Sequence, residues 1–456
     1  MIDTNLPQIE KELLEVIGIF ENADTFSVKH RFKKAENKLV NTVTVNGKIF
    51  AYGNLVNLTD DEIYNTRLIK RFAKLSLYKA LSAFTGESFP WGSLTGIRPT
   101  KLAYNLINET GEFENYFIDT LKVSPEKTEL VKRIIDVQKN YYSVDNESTD
   151  FFVFVPFCPS RCKYCSFVCA DINHYKDVVS DYIDALIEEI KESLPLIKNL
   201  RSIYIGGGTP ISLSNEDLDR LLTAIDPIVN GVEYTVEAGR PDCITEGKLE
   251  ILKAHGVNRI CVNPQSLSDK TLALIGRNHT ASDVIEKFKL CKNDFITNMD
   301  FIAGLEGEDF DTFKAGIDKA IELSPDNITV HTLCIKRGAD LAKESSRLSA
   351  LGVEEMVNYA KERLTESGYN PYYLYRQKYM AGNLENTGYA KPNKECVYNI
   401  NTMEEISSTV ACGANAISKR FFGKENRIER EASPKDIKTY MAKLPLILER
   451  KRKLFS

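Results

Sequence analysis

The chain has 456 residues, of which 43% are apolar and 27% are charged, so we expect two or three globular domains. Its formal net charge of −5 argues against a nucleic-acid-binding protein. The acidic N-terminus lacks a signal-peptide core, and the apolar run at 151–157 is far shorter than the ~20 residues of a membrane helix. Together with ten cysteines, these features predict a cytoplasmic protein with reduced thiols and no membrane span.

The first predicted region, residues 1–145, is an α+β domain whose role the sequence does not indicate. Its second predicted helix, at residues 60–84, has a clear apolar face formed by Tyr64, Leu68, Phe72 and Leu75. The predicted elements are a helix at 8–20, a β-hairpin at 41–52 with a type I′ turn at Asn46-Gly47, a helix at 60–84, a loop at 91–102, a helix at 125–140 and a polar linker at 143–150.

The second predicted region, residues 146–340, alternates strands with helices and therefore predicts an α/β fold with a parallel sheet, curved into a partial (β/α)6 barrel. The predicted strands are 151–155, 201–205, 233–238, 258–262, 297–303 and 327–333. The predicted helices are 175–194, 215–228, 246–255, 268–275, 282–291 and 309–322. In such folds the reactive residues lie at the carboxyl ends of the strands.

The third predicted region, residues 341–456, is expected to cover the substrate. Its predicted elements are a helix at 353–367, an aromatic strand at 369–375 and a helix at 403–419. The basic, amphipathic C-terminal segment KLPLILERKRKLFS is predicted to be a solvated terminal helix rather than a membrane contact.

Three cysteines, Cys158, Cys162 and Cys165, follow the first strand of the second region in the segment FCPSRCKYCSF. Three thiolates on one short loop can hold three irons of a [4Fe–4S] cluster and leave the fourth iron open to a ligand. Zinc is the alternative metal, because three cysteines with Cys169 as a fourth ligand would form a structural zinc site. Spacing and context favour the iron–sulfur cluster.

The CxxxCxxC motif after the first barrel strand resembles the radical S-adenosylmethionine (radical SAM) superfamily. Further segments resemble its oxygen-independent coproporphyrinogen III oxidase (coproporphyrinogen dehydrogenase) family, and within that family the HemZ-like branch. These segments are WGSLTGIRPTKL, TVEAGRPD, NPQSLSDKTLALIGRNHT, ITVHTL, YYLYRQKYMAGNLENTGYAKPNKEC and ACGANAISK. The resemblance implies a [4Fe–4S] cluster on the three cysteines and S-adenosylmethionine on the open iron.

A glycine-rich segment after the second strand, YIGGGTP, lets a ligand approach the backbone, whose N–H groups could bind a carboxylate. The resemblance makes this segment part of the cofactor site, and it adds residues that follow the later strands. The implied cofactor-binding residues are Gly206, Gly207, Gly208, Thr209, Glu237, Gln265, Arg277, Asp300, Gly413 and Ala414.

Coproporphyrinogen carries propionates on an apolar tetrapyrrole, so its site needs fixed cations beside apolar walls. Basic residues near aromatic segments are the candidate propionate ligands, namely Arg98, Lys101, Lys336, Arg337, Arg376 and Lys378.

Three positions depart from the pattern of the well-studied dehydrogenases. Phe152 and Phe154 replace their Tyr and His before the cluster loop, and Phe167 replaces a fourth cysteine, as in the related heme-chaperone branch. We therefore expect oxidative decarboxylation of coproporphyrinogen III to protoporphyrinogen IX, with a heme-trafficking chaperone, a radical methyltransferase or a heme-opening enzyme as alternatives. The expected partners are the tetrapyrrole substrate and an electron donor such as flavodoxin or ferredoxin, and the chain is expected to be a monomer.

Overall fold

The computed structural model describes residues 2–35, 37–56, 58–95, 98–167, 169–334, 352–377, 380–425 and 427–456. The chain forms two compact units. The N-terminal unit comprises Met1–Lys132 and Tyr375–Glu385, and the sheet unit comprises Arg133–Leu374 and Asn386–Ser456. Most of the third predicted region thus belongs to the same compact unit as the predicted barrel.

The N-terminal unit contains a four-stranded sheet in the order β1-β2-β3-β4, in which β1 is parallel to β2 and the other pairs are antiparallel. Its strands are β1 (Ile2–Thr4), β2 (Val28–Ala35), β3 (Lys38–Val45) and β4 (Lys48–Leu55), and its helices are α1 (Glu10–Ile17), α2 (Glu62–Thr85), α3 (Pro99–Thr110) and the first part of α4 (Pro125–Gln138).

Apolar residues of α1 and α2 pack on one face of this sheet, as the periodicity of α2 predicted. Leu68, Phe72 and Leu75 are buried in one cluster, against which Tyr64 packs. The hairpin turn is also confirmed, since Asn46 and Gly47 both have positive φ and Val45 pairs with Lys48. The predicted loop at 91–102 is wrong at its end, because Pro99 occupies the first turn of α3, where its missing N–H costs nothing.

The sheet unit contains an eleven-stranded sheet with helices between its strands, and two short strands, β6 (Phe157–Cys158) and β7 (Ala170–Asp171), that pair separately. Its remaining helices are α5 (Lys176–Ser193), α6 (Asn215–Thr223), α7 (Glu246–Ala254), α8 (Asp269–Leu274), α9 (Ala281–Cys291), α10 (Phe310–Leu323), α11 (Val353–Glu366), α12 (Val397–Glu404), α13 (Ile437–Ala442) and α14 (Leu444–Phe455). Its strands are β5 (Ser148–Val155), β6 (Phe157–Cys158), β7 (Ala170–Asp171), β8 (Asn199–Gly207), β9 (Glu233–Glu237), β10 (Arg259–Cys261), β11 (Ile296–Ala303), β12 (Asn327–Thr332), β13 (Asn370–Tyr375), β14 (Asn386–Ala390), β15 (Ser408–Cys412), β16 (Ile417–Phe422) and β17 (Arg427–Ala432).

Six of these strands confirm the predicted parallel core. The sheet order is β13-β14-β12-β11-β10-β9-β8-β5-β15-β16-β17, and the run from β12 to β5 is parallel throughout. Strand β15 extends the parallel run beside β5, whereas β14, β16 and β17 are antiparallel. The chain therefore has the predicted α/β fold of a partial barrel, extended on both sides by later strands.

Successive residues of the parallel strands alternate between an apolar and a polar face. The apolar face, with buried side chains such as Val153, Ile205 and Val236, forms the core beneath the helices. The opposite face carries Tyr204, Glu237 and other polar residues, which are the candidates for a functional site.

The predicted helix at 403–419 is wrong. Helix α12 ends at Glu404, and the segment then forms β15 and β16 with a turn between them. Gly413 has φ of +112°, and a Cβ there would lie 2.4 Å from the carbonyl oxygen of Phe154. The β-branched Thr409 and Val410 favour the strand, and the glycine turns the chain where a helix would have to continue.

The predicted polar linker is also wrong at its end, because β5 begins at Ser148 rather than 151. Asp150 lies in this first part of the strand and is buried. Its carboxylate accepts hydrogen bonds from Ser202 and Asn401, and burial raises its pKa to about 6 despite these bonds. The polar side chains at the start of β5 are buried, so their polarity does not indicate an exposed linker.

The C-terminal helix α14 is anchored by a buried ion pair. Lys451 donates to Glu189 of α5 over 2.7 Å, and both side chains are at most 3% exposed. Glu189 also accepts from Tyr440 and from the backbone N–H of Gly413. The tail is thus a terminal helix, as predicted, but it is partly buried rather than only solvated. In the described part of the chain, no helix has the length and apolarity needed to cross a membrane.

Replacing Lys451 by alanine should destabilise the sheet unit by about 3–5 kcal/mol, because it leaves the buried Glu189 carboxylate without its cation. The neighbouring Arg452 pairs with Glu192 at the surface, where both side chains are about half exposed, so Arg452→Ala should cost at most about 1 kcal/mol. Urea denaturation of both variants measures the difference. Equal losses of stability would show that the buried pair has no special role.

Candidate active site

The predicted ligand cysteines lie on a loop that begins directly after β5. Strand β6, which contains Cys158, pairs with β7, so the ends of the loop are held together. The N–H of Ala170 donates to the Pro156 carbonyl and that of Ile172 to the Cys158 carbonyl. The loop is therefore closed at its base, and Cys162 and Cys165 lie within it.

The thiol of Cys169 lies close to two of the predicted ligands. Hydrogen bonding with Cys169 lowers the pKa of Cys158, and a hydrogen bond involving Thr209 acts in the same direction, although burial opposes both. The contact with Cys169 and burial raise the pKa of Cys165. No three Cys, His, Asp or Glu side chains among the described residues are gathered as a preformed metal site.

Two buried arginines flank the remaining thiol, Cys162. Arg240 donates from Nη1 to the Cys162 Sγ over 3.8 Å and to Ser160 Oγ over 3.0 Å. Arg277 donates to the hydroxyl of Tyr164, which lies between the second and third cysteines, and to the carbonyls of Gly239 and Asn263. A thiolate-bound iron–sulfur cluster is anionic, so this cationic surrounding fits it.

The glycine segment after β8 lies directly against the cysteine loop. A Cβ at Gly208 would be 2.4 Å from the Phe157 carbonyl oxygen and 3.0 Å from Cys158 Sγ. The N–H groups of Gly208 and Thr209 donate to the carbonyls of Val155 and Phe157. Those two N–H groups are therefore already paired within the protein, and the role of the segment in cofactor binding stays a prediction. The segment brings the ends of two strands into close contact beside Cys158.

Two carboxylates lie on the polar face of the sheet, as expected from their strand positions. Glu237 accepts a hydrogen bond of 2.6 Å from Tyr204, and burial raises its pKa to about 7 although this bond opposes the shift. Asp300 accepts from Asn298 over 2.7 Å and lies 3.7 Å from His331. Burial opposes ionisation of Asp300, yet His331 and Asn298 hold its pKa below the ordinary value.

The remaining predicted cofactor residues have mainly structural contacts. Gln265 has a positive φ and bridges to Phe301 of β11 through its backbone. Arg277 donates hydrogen bonds from its terminal nitrogens to the tyrosine hydroxyl and the two backbone carbonyls described above. The N–H groups of Gly413 and Ala414 donate to Glu189 and the Tyr182 hydroxyl. A cofactor could contact their other atoms, so their role stays a prediction.

Of the predicted propionate ligands, the structure describes Arg98, Lys101 and Arg376. Arg376 is 6% exposed and donates to the carbonyls of Leu94, Asn383 and Leu384, while its guanidinium lies over Trp91. This side chain is part of the interior of the N-terminal unit, which corrects its assignment as a propionate ligand. Arg98 precedes α3 and Lys101 lies in its first turn. Lys336, Arg337 and Lys378 lie outside the described residues.

Sequence reasoning missed three features of the polar face. Arg240 and His331 lie in quoted motifs, TVEAGRPD and ITVHTL, and their position at strand ends could have identified them. Tyr398 of α12 stacks on Tyr204 at 4.3 Å and on Phe152 at 6.0 Å between ring centroids. That stack joins residues far apart in the sequence, so it needed the fold.

Comparisons with known proteins indicate the family of the chain. A family model described as the Radical SAM superfamily matches residues 152–320. The oxygen-independent coproporphyrinogen-III oxidase-like protein HemZ of Bacillus subtilis (strain 168) is 36% identical over 404 residues, which cover 84% of this chain and 80% of that protein. The heme chaperone HemW of Lactococcus lactis subsp. lactis (strain IL1403) is 33% identical over 232 residues, covering 48% of this chain and 60% of that protein.

Among solved structures, the coproporphyrinogen III oxidase HemN of Escherichia coli aligns with a TM-score of 0.53 and 20% identity, covering 71% of this chain and 73% of that chain. At this identity the likeness concerns the fold alone. The similarity to HemZ, in contrast, extends over most of both sequences. The chain therefore belongs to the radical SAM superfamily, whose members bind a [4Fe–4S] cluster and S-adenosylmethionine, and within it to the family of the HemZ protein.

Proposed function

We propose that this chain is an oxygen-independent oxidoreductase that converts two propionates of coproporphyrinogen III to vinyl groups, giving protoporphyrinogen IX. Each conversion removes one hydrogen atom from the β-carbon, releases the carboxylate as CO₂ and passes one electron to an external acceptor. The observation that carries the proposal is the 36% identity to a coproporphyrinogen-III oxidase-like protein over 84% of the chain. In this proposal Cys158, Cys162 and Cys165 hold the cluster. When bound, the cluster and S-adenosylmethionine supply a 5′-deoxyadenosyl radical that removes a hydrogen atom from the substrate.

The residues of the polar face support a cofactor site. Glu237 and Asp300 are proposed to accept hydrogen bonds from the hydroxyl and ammonium groups of S-adenosylmethionine. Tyr204 orients the first carboxylate, and Asn298 with His331 orients the second. These supports fix the two carboxylates before the cofactor arrives, which reduces the entropy lost on binding.

The substrate side of the proposal rests on an apolar surface beside those carboxylates. Phe152, Tyr204 and Tyr398 stack on one another on the polar face, and this aromatic cluster is proposed to pack against the tetrapyrrole. Such a cluster would also exclude water from the radical reaction. An external one-electron donor such as flavodoxin or ferredoxin is proposed to reduce the cluster, and the enzyme is proposed to act as a monomer.

Replacing Asp300 or Glu237 by alanine should weaken binding of S-adenosylmethionine about ten- to a hundredfold, because each lost hydrogen bond to a charged group is worth roughly 1.5–3 kcal/mol. The iron content should not change, since neither side chain is a proposed ligand of the metal. Equilibrium binding to the anaerobically reconstituted protein measures the effect. Asp294→Ala, in the exposed turn before β11, is the control, and normal binding by both site variants would contradict the assignment.

A heme-trafficking role is the second candidate function. Phe167 is 62% exposed on the cluster loop, at the position where the well-studied dehydrogenases have a cysteine, and the chain is 33% identical to a heme chaperone over about half its length. The two functions differ in their use of S-adenosylmethionine, which the enzyme consumes and the chaperone need not cleave. Reduced protein should form 5′-deoxyadenosine in proportion to decarboxylated product if it is the enzyme. Tight one-to-one heme binding without such product would favour the chaperone.

A further inference from the structure

Arg240 is a buried arginine that lies beside the cysteine loop. Its side chain is 3% exposed, and it follows the carboxyl end of β9 in the segment AGRPD. Nε and Nη2 each donate over 3.0 Å to a different oxygen of Asp242, so that carboxylate compensates the buried charge. An ion pair of this bidentate kind fixes the guanidinium plane.

The third guanidinium nitrogen points at the cysteine loop. Nη1 donates to Ser160 Oγ over 3.0 Å, to the Ser160 carbonyl over 3.3 Å and to the Cys162 Sγ over 3.8 Å. Because the ion pair with Asp242 uses Nε and Nη2, Nη1 is available to the loop, and the planar guanidinium directs it there. Arg240 therefore connects the end of β9 to one of the three proposed cluster ligands.

The charge of this surrounding matters when the cluster is reduced. Reduction adds one negative charge to the cluster, and hydrogen bonds to its sulfurs stabilise the more negative state more strongly. Arg277 donates to Tyr164 on the same loop, so a second guanidinium is fixed nearby. Burial keeps water from screening these charges.

We propose that Arg240 sets the reduction potential of the iron–sulfur cluster by donating a hydrogen bond to the Cys162 sulfur, with Asp242 as the residue that positions it. Loss of the bond makes the cluster harder to reduce. This inference rests on the cluster of the proposed function and is independent of the substrate. If the reconstituted protein contains zinc instead of iron, the proposed function fails, whereas an intact cluster with an unchanged potential overturns only the inference.

A redox titration of the reconstituted cluster, followed by its paramagnetic resonance signal, tests the proposal without substrate or turnover. In Arg240→Gln we expect the ratio of reduced to oxidised cluster at a fixed potential to fall about tenfold, which corresponds to about 59 mV for one electron. Arg220→Gln is the matched control, because it removes an arginine of the same unit that pairs at the surface with Asp184 and Asp217. A wild-type potential in Arg240→Gln would overturn the proposal.

A second measurement does not depend on the stability of that variant. In wild-type protein labelled with ¹⁵N-arginine, pulsed resonance of the reduced cluster should detect a coupled guanidinium nitrogen. Arg240→Lys retains the positive charge but contributes no labelled nitrogen, so the coupling should disappear from a cluster that is still assembled. Absence of the coupling in the wild type, or its persistence in Arg240→Lys, would overturn the assignment of Arg240.

Discussion

Replacing Cys162 by alanine should reduce iron content to background and abolish cleavage of S-adenosylmethionine. Cys158→Ala and Cys165→Ala should behave in the same way, because the proposed three-thiolate set has no spare ligand and each cysteine would hold a different iron. Iron analysis and chromatography of 5′-deoxyadenosine from anaerobically reconstituted protein measure the two effects. This is the largest loss that we expect from any single substitution.

Two further cysteines provide the controls. Cys291→Ala changes a buried thiol of α9 and should keep both iron and activity. Cys169→Ala is the more informative control, since Cys169 contacts two of the proposed ligands without being one of them. If Cys169→Ala also lost the metal, or if zinc were found in place of iron, four-thiol zinc coordination would replace the cluster in this account.

Replacing Gly208 by alanine should lower the rate of S-adenosylmethionine cleavage by about a hundredfold or more. The added Cβ would lie 2.4 Å from the Phe157 carbonyl oxygen and 3.0 Å from Cys158 Sγ, so the glycine segment and the cysteine loop must move apart. Displacements of about 1 Å at a reacting centre typically cost about a hundredfold in rate. Single-turnover formation of 5′-deoxyadenosine is the measurement.

Gly247→Ala is the matched control for this substitution. Its added Cβ would meet the flexible side chain of Asn215 at 3.2 Å, and it lies in α7, where alanine is a better helix former than glycine. We expect normal activity and normal iron content in that variant. Comparable activity of the two glycine variants would show that close contact beside Cys158 is not required.

The sequence predicted the parallel core well, because buried strands and amphipathic helices alternate there with clear periodicity. Strand β8 and helix α5, for example, were placed within two residues of their observed ends. The extension of the sheet by β15 could not be predicted, since its pairing with β5 joins residues more than 250 positions apart. Local helical periodicity dominated the interpretation there, and the turn at Gly413 was missed.

The predictions of the site residues show the same difference between features encoded in short motifs and features that depend on distant contacts. The cysteine motif and the strand-end carboxylates are local features of the sequence, and the structure places Glu237 and Asp300 on one polar face. Arg376 was misassigned because a basic residue beside aromatic ones resembles a ligand for carboxylates. Its buried contacts with the Leu94 carbonyl and the Trp91 ring depend on tertiary structure that no short motif encodes.

The central claim is that a radical formed from S-adenosylmethionine removes hydrogen from a propionate of coproporphyrinogen III. Its most direct test uses anaerobic, reconstituted protein, a one-electron reductant, an electron acceptor and substrate deuterated at the β-carbons of the propionates. We predict that deuterium appears in 5′-deoxyadenosine and that mass spectrometry shows the loss of two molecules of CO₂ per porphyrinogen. Unlabelled 5′-deoxyadenosine with no decarboxylated product would contradict the account.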